Sequence, residues 1–259
     1  MRVTILPTAA KAVTRAVGLI VDQVGRNPQS VLGLATGGTM EPVYDQLIAH
    51  HQAGLSLAGV TTFNLDEYVG LGPDHPQSYA TYMRDRLFRH VDIPSQSCFV
   101  PSGLAEPHDA AQAFEAAIAA RGPVDLQLLG LGANGHIGFN EPGSSLGSRT
   151  REKLLSPDTI EANRRFFASG EPVPETAITM GIATICEARS IVVLATGAKK
   201  ASAVHAMVEG PISAICPASA LQMHPRVHVV MDAEAASDLA LRDHYMRAEK
   251  IQSARERKM

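Results

Sequence analysis

The first pattern along the chain is helical: Ala9, Val13, Ala16, Val17, Ile20, Val21 and Val24 recur at three- and four-residue spacing until Asn27-Pro28 breaks the run. This predicts a helix over residues 9–24. Val31-Leu32-Gly33-Leu34-Ala35 is instead a continuous apolar run of strand length, as in a strand covered on both faces. Thr36-Gly37-Gly38-Thr39 then turns the chain into a helix-compatible segment, 42–51. Strands at 60–65, 124–129, 190–195 and 227–231 and helices at 78–90, 109–120 and 198–208 continue the alternation. The predicted fold class is α/β: a three-layer α/β/α, Rossmann-like arrangement around a mostly parallel sheet. Such sheets bind ligands beyond the carboxyl ends of their strands, where the glycine-rich segments fall. No repeat or linker divides residues 1–259, so one domain is expected. The charged stretch 247–259 reads as a surface helix or frayed end.

Composition narrows the function classes. Of 259 residues, 45% are hydrophobic, and 23 basic against 26 acidic side chains leave a net charge of −3. That balance gives no general attraction to nucleic acid or anionic lipid. No run of about 18 apolar residues suggests a membrane span, and the N-terminus lacks a signal-peptide pattern. Cys98, Cys186 and Cys216 are odd in number and widely spaced, so neither a disulfide framework nor a zinc site is expected, and a cytoplasmic location fits.

Two motifs are formal matches in the wrong context. Gly130-Leu131-Gly132-Ala133-Asn134-Gly135 fits the dinucleotide fingerprint, but the residues after it make a poor helix, and a helix N-terminus is what that fingerprint needs. Gly143-Ser144-Ser145-Leu146-Gly147 fits a nucleophile elbow, but Asn140-Glu141-Pro142 before it is no buried strand. His136 and Glu141 without further ligands make no metal site, and neither metal nor cofactor is expected.

The chemistry gathers elsewhere. Thr36, Gly37, Gly38 and Thr39 join a strand to a helix, so their N–H groups can converge on an anion. With no Gly-Lys-Ser/Thr following, a sugar phosphate fits better than a nucleoside triphosphate; the plainer reading is a tight turn with Thr39 as N-cap. Asp66 and Glu67 follow the strand at 60–65, and in extended backbone only one of them faces a cleft. A carboxylate there suits a general base on a carbon acid. Asn134 to Pro142 sets His136, Glu141 and two amides in a loop directly after a strand, an arrangement suited to proton transfer at a sugar oxygen. Arg164-Arg165 and Lys199-Lys200 supply cations, with Lys200 the better placed of the two lysines. Two acid/base groups beside an anion cradle point to an aldose–ketose type reaction.

The segments Leu34 to Thr39, Phe63 to Leu71, Ser78-Tyr79 through Met83, Gly135 to Pro142 and Ser148 to Arg151, in this order and spacing between about residues 30 and 230, resemble the glucosamine-6-phosphate deaminases of the glucosamine/galactosamine-6-phosphate isomerase family. The resemblance implies a cofactor-free conversion of glucosamine 6-phosphate and water to fructose 6-phosphate and ammonia, in amino-sugar catabolism. It implies that His136 opens the pyranose ring with support from Glu141 and Asn134, that Asp66 takes the C2 proton, and that the Thr36 to Thr39 turn, Arg165 and Lys200 hold the phosphate. It further implies a homo-oligomer with an N-acetylglucosamine 6-phosphate effector site whose contacts are Ser144, Arg151 and Lys153. Leu154 stands where regulated members carry a hydroxyl residue, and the C-terminal segment also departs from their pattern.

Three alternatives compete with this reading: galactosamine-6-phosphate deamination, 6-phosphogluconolactone hydrolysis, which needs no base aimed at C2, and a non-catalytic sugar-phosphate sensor, which would need a DNA-binding module not seen before Val31. The mixed polar segment 148–174 reads as a lid over the site.

Overall fold

Strand β1 (Arg2–Leu6) leads into helix α1 (Ala9–Arg26), where the Thr8 side chain caps the first turn by accepting the Lys11 N–H and Val13, Ala16, Val17, Ile20 and Val24 are buried. Then follow β2 (Val31–Leu34), α2 (Glu41–Gln52), β3 (Thr61–Asn64), β4 (Asp66–Tyr68), α3 (Tyr79–Arg86), β5 (Cys98–Phe99) and α4 (Pro107–Arg121). The remainder is β6 (Leu126–Gly130), β7 (Arg151–Leu154), α5 (Pro157–Arg164), β8 (Thr176–Thr179), α6 (Ile182–Cys186), β9 (Ile191–Ala195), α7 (Ala201–Val208), β10 (Val227–Asp232) and α8 (Arg242–Glu256). The computed structural model describes residues 1–168 and 170–256. The last three residues of the charged tail therefore lie outside the described residues, and the tail before them is helical.

Seven strands form one parallel sheet in the order β1-β10-β9-β6-β2-β3-β5. The strand order reverses between β6 and β2, because β2 leads outward to β3 and β5 while β6 leads the other way to β9 and β10. That reversal opens the crevice where doubly wound sheets take their ligands. The fully buried run Val31–Leu34 lies at this point, as its unbroken apolar character predicts.

A second sheet was not legible in the sequence. The expected strand 60–65 ends at Asn64; after Leu65 the chain enters β4, which pairs antiparallel with β8, and β8 pairs antiparallel with β7. This small sheet has its own apolar cluster, in which Tyr68, Phe139, Leu155, Phe167, Val173 and Ala177 are packed on by Tyr79 and Ile160. Most of lid-like segment 148–174 thus belongs to a packed layer rather than to a free loop; Ser169 within it lies outside the described residues. The expected helix 78–90 is shorter, since α3 stops at Arg86 and a 3-10 turn covers Phe88–His90. The edge strand β1 was also unforeseen. Helix α8 lies against it, and the Arg2 guanidinium donates to both carboxylate oxygens of Glu249, at 2.7 and 2.9 Å.

Candidate active site

A cleft of about 790 Å³ lies over the reversal point. Its walls come from the carboxyl ends of β2, β3, β6 and β9 and from α5. Thr36, Gly37, Gly38 and Thr39 line it, and two tyrosines hold their turn in place: Tyr44 donates its hydroxyl to the Ala35 carbonyl, and Tyr82 donates to the Gly37 carbonyl at 2.9 Å. Arg165 and Lys200 line the same cleft, whereas their neighbours Arg164 and Lys199 do not; Arg164 is paired with Glu161 at 3.0 Å. Burial pushes the Lys200 ammonium below the ordinary lysine range, so an anion in the cleft would meet a poorly hydrated cation.

The Asp66-Glu67 pair divides as strand alternation requires. Asp66 faces the cleft. Glu67 turns away and ties down the start of α3, where its carboxylate accepts the N–H groups of Tyr68, Tyr79 and Ala80, each at 2.9 Å. Burial, with the neighbouring Glu67 carboxylate adding to it, pushes the Asp66 carboxyl up to about 8. A carboxylate so destabilised in its charged form is a stronger base than an exposed one.

The loop after β6 carries His136, which also lines the cleft. Glycine is required here twice. A Cβ on Gly132 would stand 2.4 Å from the His136 ring, and Gly138, at φ +55°, sits where a Cβ would come 3.0 Å from Thr179 Oγ1 and 3.3 Å from Asp66 Oδ2. Of the formal dinucleotide fingerprint, Gly132 is therefore required by the packing of the histidine loop, and no helix opens within the motif. The serine of the second formal motif, Ser145, is exposed and outside the cleft.

Glu141 stands behind His136, buried and outside the lining. Its Oε2 lies 3.6 Å from His136 Nδ1, an ion-pair distance rather than a hydrogen bond, and accepts Asn134 Nδ2 at 2.9 Å. Asn134 Oδ1 in turn accepts the His136 backbone N–H at 3.2 Å. The neutral amide thus clamps the carboxylate and the histidine backbone together. Burial by itself would raise the Glu141 carboxyl; the His136 imidazole, the Thr159 hydroxyl and the Asn134 amide outweigh it and hold the group at about 2. Glu141 is an anion throughout the neutral range. Phe139 N–H donates to Thr179 Oγ1, and Asn140 Nδ2 donates to the carbonyls of Ile137 and Met180, so the loop is fastened to the end of the small sheet.

The three residues singled out for an effector are not in this cleft. Ser144 is buried, Lys153 is half-buried, and Arg151 donates to Asn140 Oδ1 at 2.8 Å, which commits its guanidinium to the histidine loop. Leu154 is exposed. Sequence reasoning gave no role to Tyr79, Asp158, Thr159, Asn163 and Phe166, all of which line the cleft. The only sequence cue to the α5 residues is the N-cap Ser156 with Pro157 behind it.

A family model described as glucosamine-6-phosphate isomerases/6-phosphogluconolactonase matches residues 7–230. The glucosamine-6-phosphate deaminase of Rhodopirellula baltica is 56% identical over 239 residues, covering 92% of this chain and 95% of its own. That of Shewanella loihica is 52% identical over 251 residues, covering 96% and 94%. Among solved structures, a monomeric glucosamine-6-phosphate deaminase is similar with a TM-score of 0.89 at 46% identity, covering 92% of this chain and all of its own. The 6-phosphogluconolactonase from Trypanosoma brucei, at 23% identity and a TM-score of 0.74 over 92% of this chain and 98% of its own, shares the fold.

Proposed function

This chain belongs to the glucosamine-6-phosphate isomerase/6-phosphogluconolactonase family, and from that membership together with the cleft we propose that it converts glucosamine 6-phosphate and water to fructose 6-phosphate and ammonia. The observation that carries the reading is the pair of unlike acid/base groups lining one cleft: a buried carboxyl at the end of β3 and a histidine backed by an ionised glutamate after β6. The Thr36 to Thr39 turn, Arg165 and Lys200 hold the phosphate. His136 takes the proton of the C1 hydroxyl and returns one to the ring oxygen, which opens the pyranose. Asp66 removes the C2 proton of the open chain, giving an enolamine. Protonation at C1 then yields the C2 imine, to which water adds, and ammonia leaves with fructose 6-phosphate remaining. The protons balance without electron transfer: C2 and then nitrogen each give one up, O1 and then C1 each gain one, and both protons of the added water pass to nitrogen as it leaves.

Lactone hydrolysis would leave the buried Asp66 without a task, and the lactonase likeness extends to fold alone. Measuring kcat/KM on glucosamine 6-phosphate, its galactosamine epimer and 6-phosphogluconolactone separates the readings: the first is expected to be turned over best, and preferential turnover of either other compound overturns the proposal.

Effector control receives less support. Arg151 is already engaged with Asn140 Oδ1, Leu154 is exposed, and the solved relative at 46% identity is monomeric. Light scattering is expected to give a monomer mass near 27.5 kDa, and N-acetylglucosamine 6-phosphate to leave the substrate saturation curve unchanged; a sigmoidal curve that the effector straightens contradicts this. The free cysteines suit a reducing compartment, and the cytoplasm is the location we propose.

Gly132→Ala tests the histidine's placement. Its methyl group would displace the His136 ring, and a misplacement of about 1 Å is worth up to about 100-fold in rate. A fall in kcat of roughly tenfold or more is expected, with the melting temperature little changed; wild-type kcat in a folded variant would place His136 outside the chemistry.

A further inference from the structure

Glu141 is shared between the histidine loop and the helix that roofs the cleft. Its Oε2 serves His136 and Asn134, while its Oε1 accepts the hydroxyl of Thr159, which lies in the first turn of α5 and lines the cleft itself. A hydroxyl has one proton to give and two lone pairs to receive. Ser156, the N-cap of α5, accepts the Thr159 N–H at 3.2 Å and donates its own hydroxyl to Thr159 Oγ1 at 3.0 Å. That donation takes one lone pair of Thr159 Oγ1, and because the ionised Glu141 carboxylate can only accept, the threonine's single proton is given to it. The helix cap is therefore supplied by Ser156, and the Thr159 hydroxyl is not needed for it. Helix α5 itself rests on the small aromatic cluster through Ile160, with Leu155 and Phe167 on either side of it, rather than on the large sheet's core. The bond from Thr159 to Glu141 joins these two layers at the His136–Glu141 pair.

We propose that Thr159 is a positioning residue: through its hydroxyl the placement of α5 over the cleft fixes the Glu141 carboxylate against His136. The inference rests on the reading of His136 as the group that opens the sugar ring. It extends that reading by making the roof of the site a part of its acid/base apparatus rather than a passive cover.

The test uses the full chain and four variants: Thr159→Val, which keeps the branched shape and the Ser156 cap, Thr159→Ser, Glu141→Gln, and the Thr159→Val/Glu141→Gln double variant. Ammonia release from glucosamine 6-phosphate is followed, and hydrogen exchange of the α5 amides is measured without substrate. A hydrogen bond to a charged group sets the scale, so Thr159→Val is expected to lower kcat roughly tenfold with KM within about twofold. Thr159→Ser restores kcat. In the Glu141→Gln background the valine adds much less than in the wild type, because the bond it removes has already lost its charged partner. The α5 amides exchange faster in Thr159→Val and in Glu141→Gln alike. Wild-type kcat in Thr159→Val, failure of serine to rescue, or a full additional loss in the double variant overturns the inference. Absence of ammonia from the wild type would sink the proposed function instead, and unchanged α5 exchange in both single variants would then still overturn the coupling.

Discussion

Asp66→Asn is expected to lower kcat by about 10²- to 10⁴-fold, the range a positioned general base contributes, while substrate binding measured by calorimetry stays close to wild type. The amide has nearly the same shape and cannot take a proton from C2. The substitution has a second, opposite consequence. The Asp66 carboxyl is raised from 3.8 to about 8 by burial and by Glu67, so between these values the folded state holds a proton that the unfolded state releases. Stability therefore falls as pH rises through that window. Asparagine removes this dependence, so the variant melts at a higher temperature than wild type, with a gap that widens from pH 4 to pH 8 and reaches, at order of magnitude, a few kcal/mol. A variant that is both inactive and less stable at pH 8 would mark Asp66 as structural.

The same raised carboxyl sets the activity profile. Only ionised Asp66 can act as a base, so kcat/KM should climb along an acid limb with its midpoint near pH 8, levelling only about a unit above it, once the substrate's own ionisations are divided out. The protonated amino group of the bound sugar favours the carboxylate by direct attraction. The limb of kcat, which reports the complex, should accordingly lie at lower pH than that of kcat/KM. Profiles that level by pH 5 in both parameters would contradict the assignment.

His136→Gln carries the second largest expected effect, and its signature differs from that of Asp66. Ring opening is needed for the cyclic amino sugar but not for hydrogen exchange at C1 of the open-chain ketose product. Forward deamination should therefore fall by about 10²-fold or more, within the range for acid/base groups. Exchange of the C1 hydrogens of fructose 6-phosphate with deuterated water in the presence of ammonium, followed by proton NMR, should fall far less. Equal losses in the two assays would assign His136 to the carbon chemistry instead. Glu141, an anion across this range, supports the imidazole from behind and leaves the cleft wall to the histidine.

The sequence pattern and the structure part company where side-chain periodicity stops reporting burial. Strands β2, β6, β9 and β10 are apolar runs covered on both faces, and their positions followed from composition within a residue or two. Strand β4 is three residues long with two carboxylates and a tyrosine, all buried. Nothing in that composition signals burial; it depends on pairing with β8 and on the backbone N–H groups that Glu67 accepts. Strand β7 reads Arg-Glu-Lys-Leu, half-buried and exposed by turns, which is also how a loop reads. For the cleft, the alternation rule required that only one of Asp66 and Glu67 face it, the family resemblance picked Asp66, and strand-end placement pointed to Thr36, His136 and Lys200. Tyr79 and Thr159 carried no such signal, since a tyrosine in the first turn of a helix and a threonine after a helix cap are ordinary until tertiary packing turns them to a common space.

On the proposed function deamination is coupled to isomerisation, with one group working on oxygen and another on carbon. A single time course of the wild-type protein with glucosamine 6-phosphate in the presence of a chelator, with ammonia and fructose 6-phosphate measured in the same samples, tests this coupling. The two are expected to rise together in equal amounts. Ammonia accompanied by glucose 6-phosphate, the product of plain hydrolytic loss of the amine at an unisomerised carbon skeleton, or the absence of both products, would contradict it.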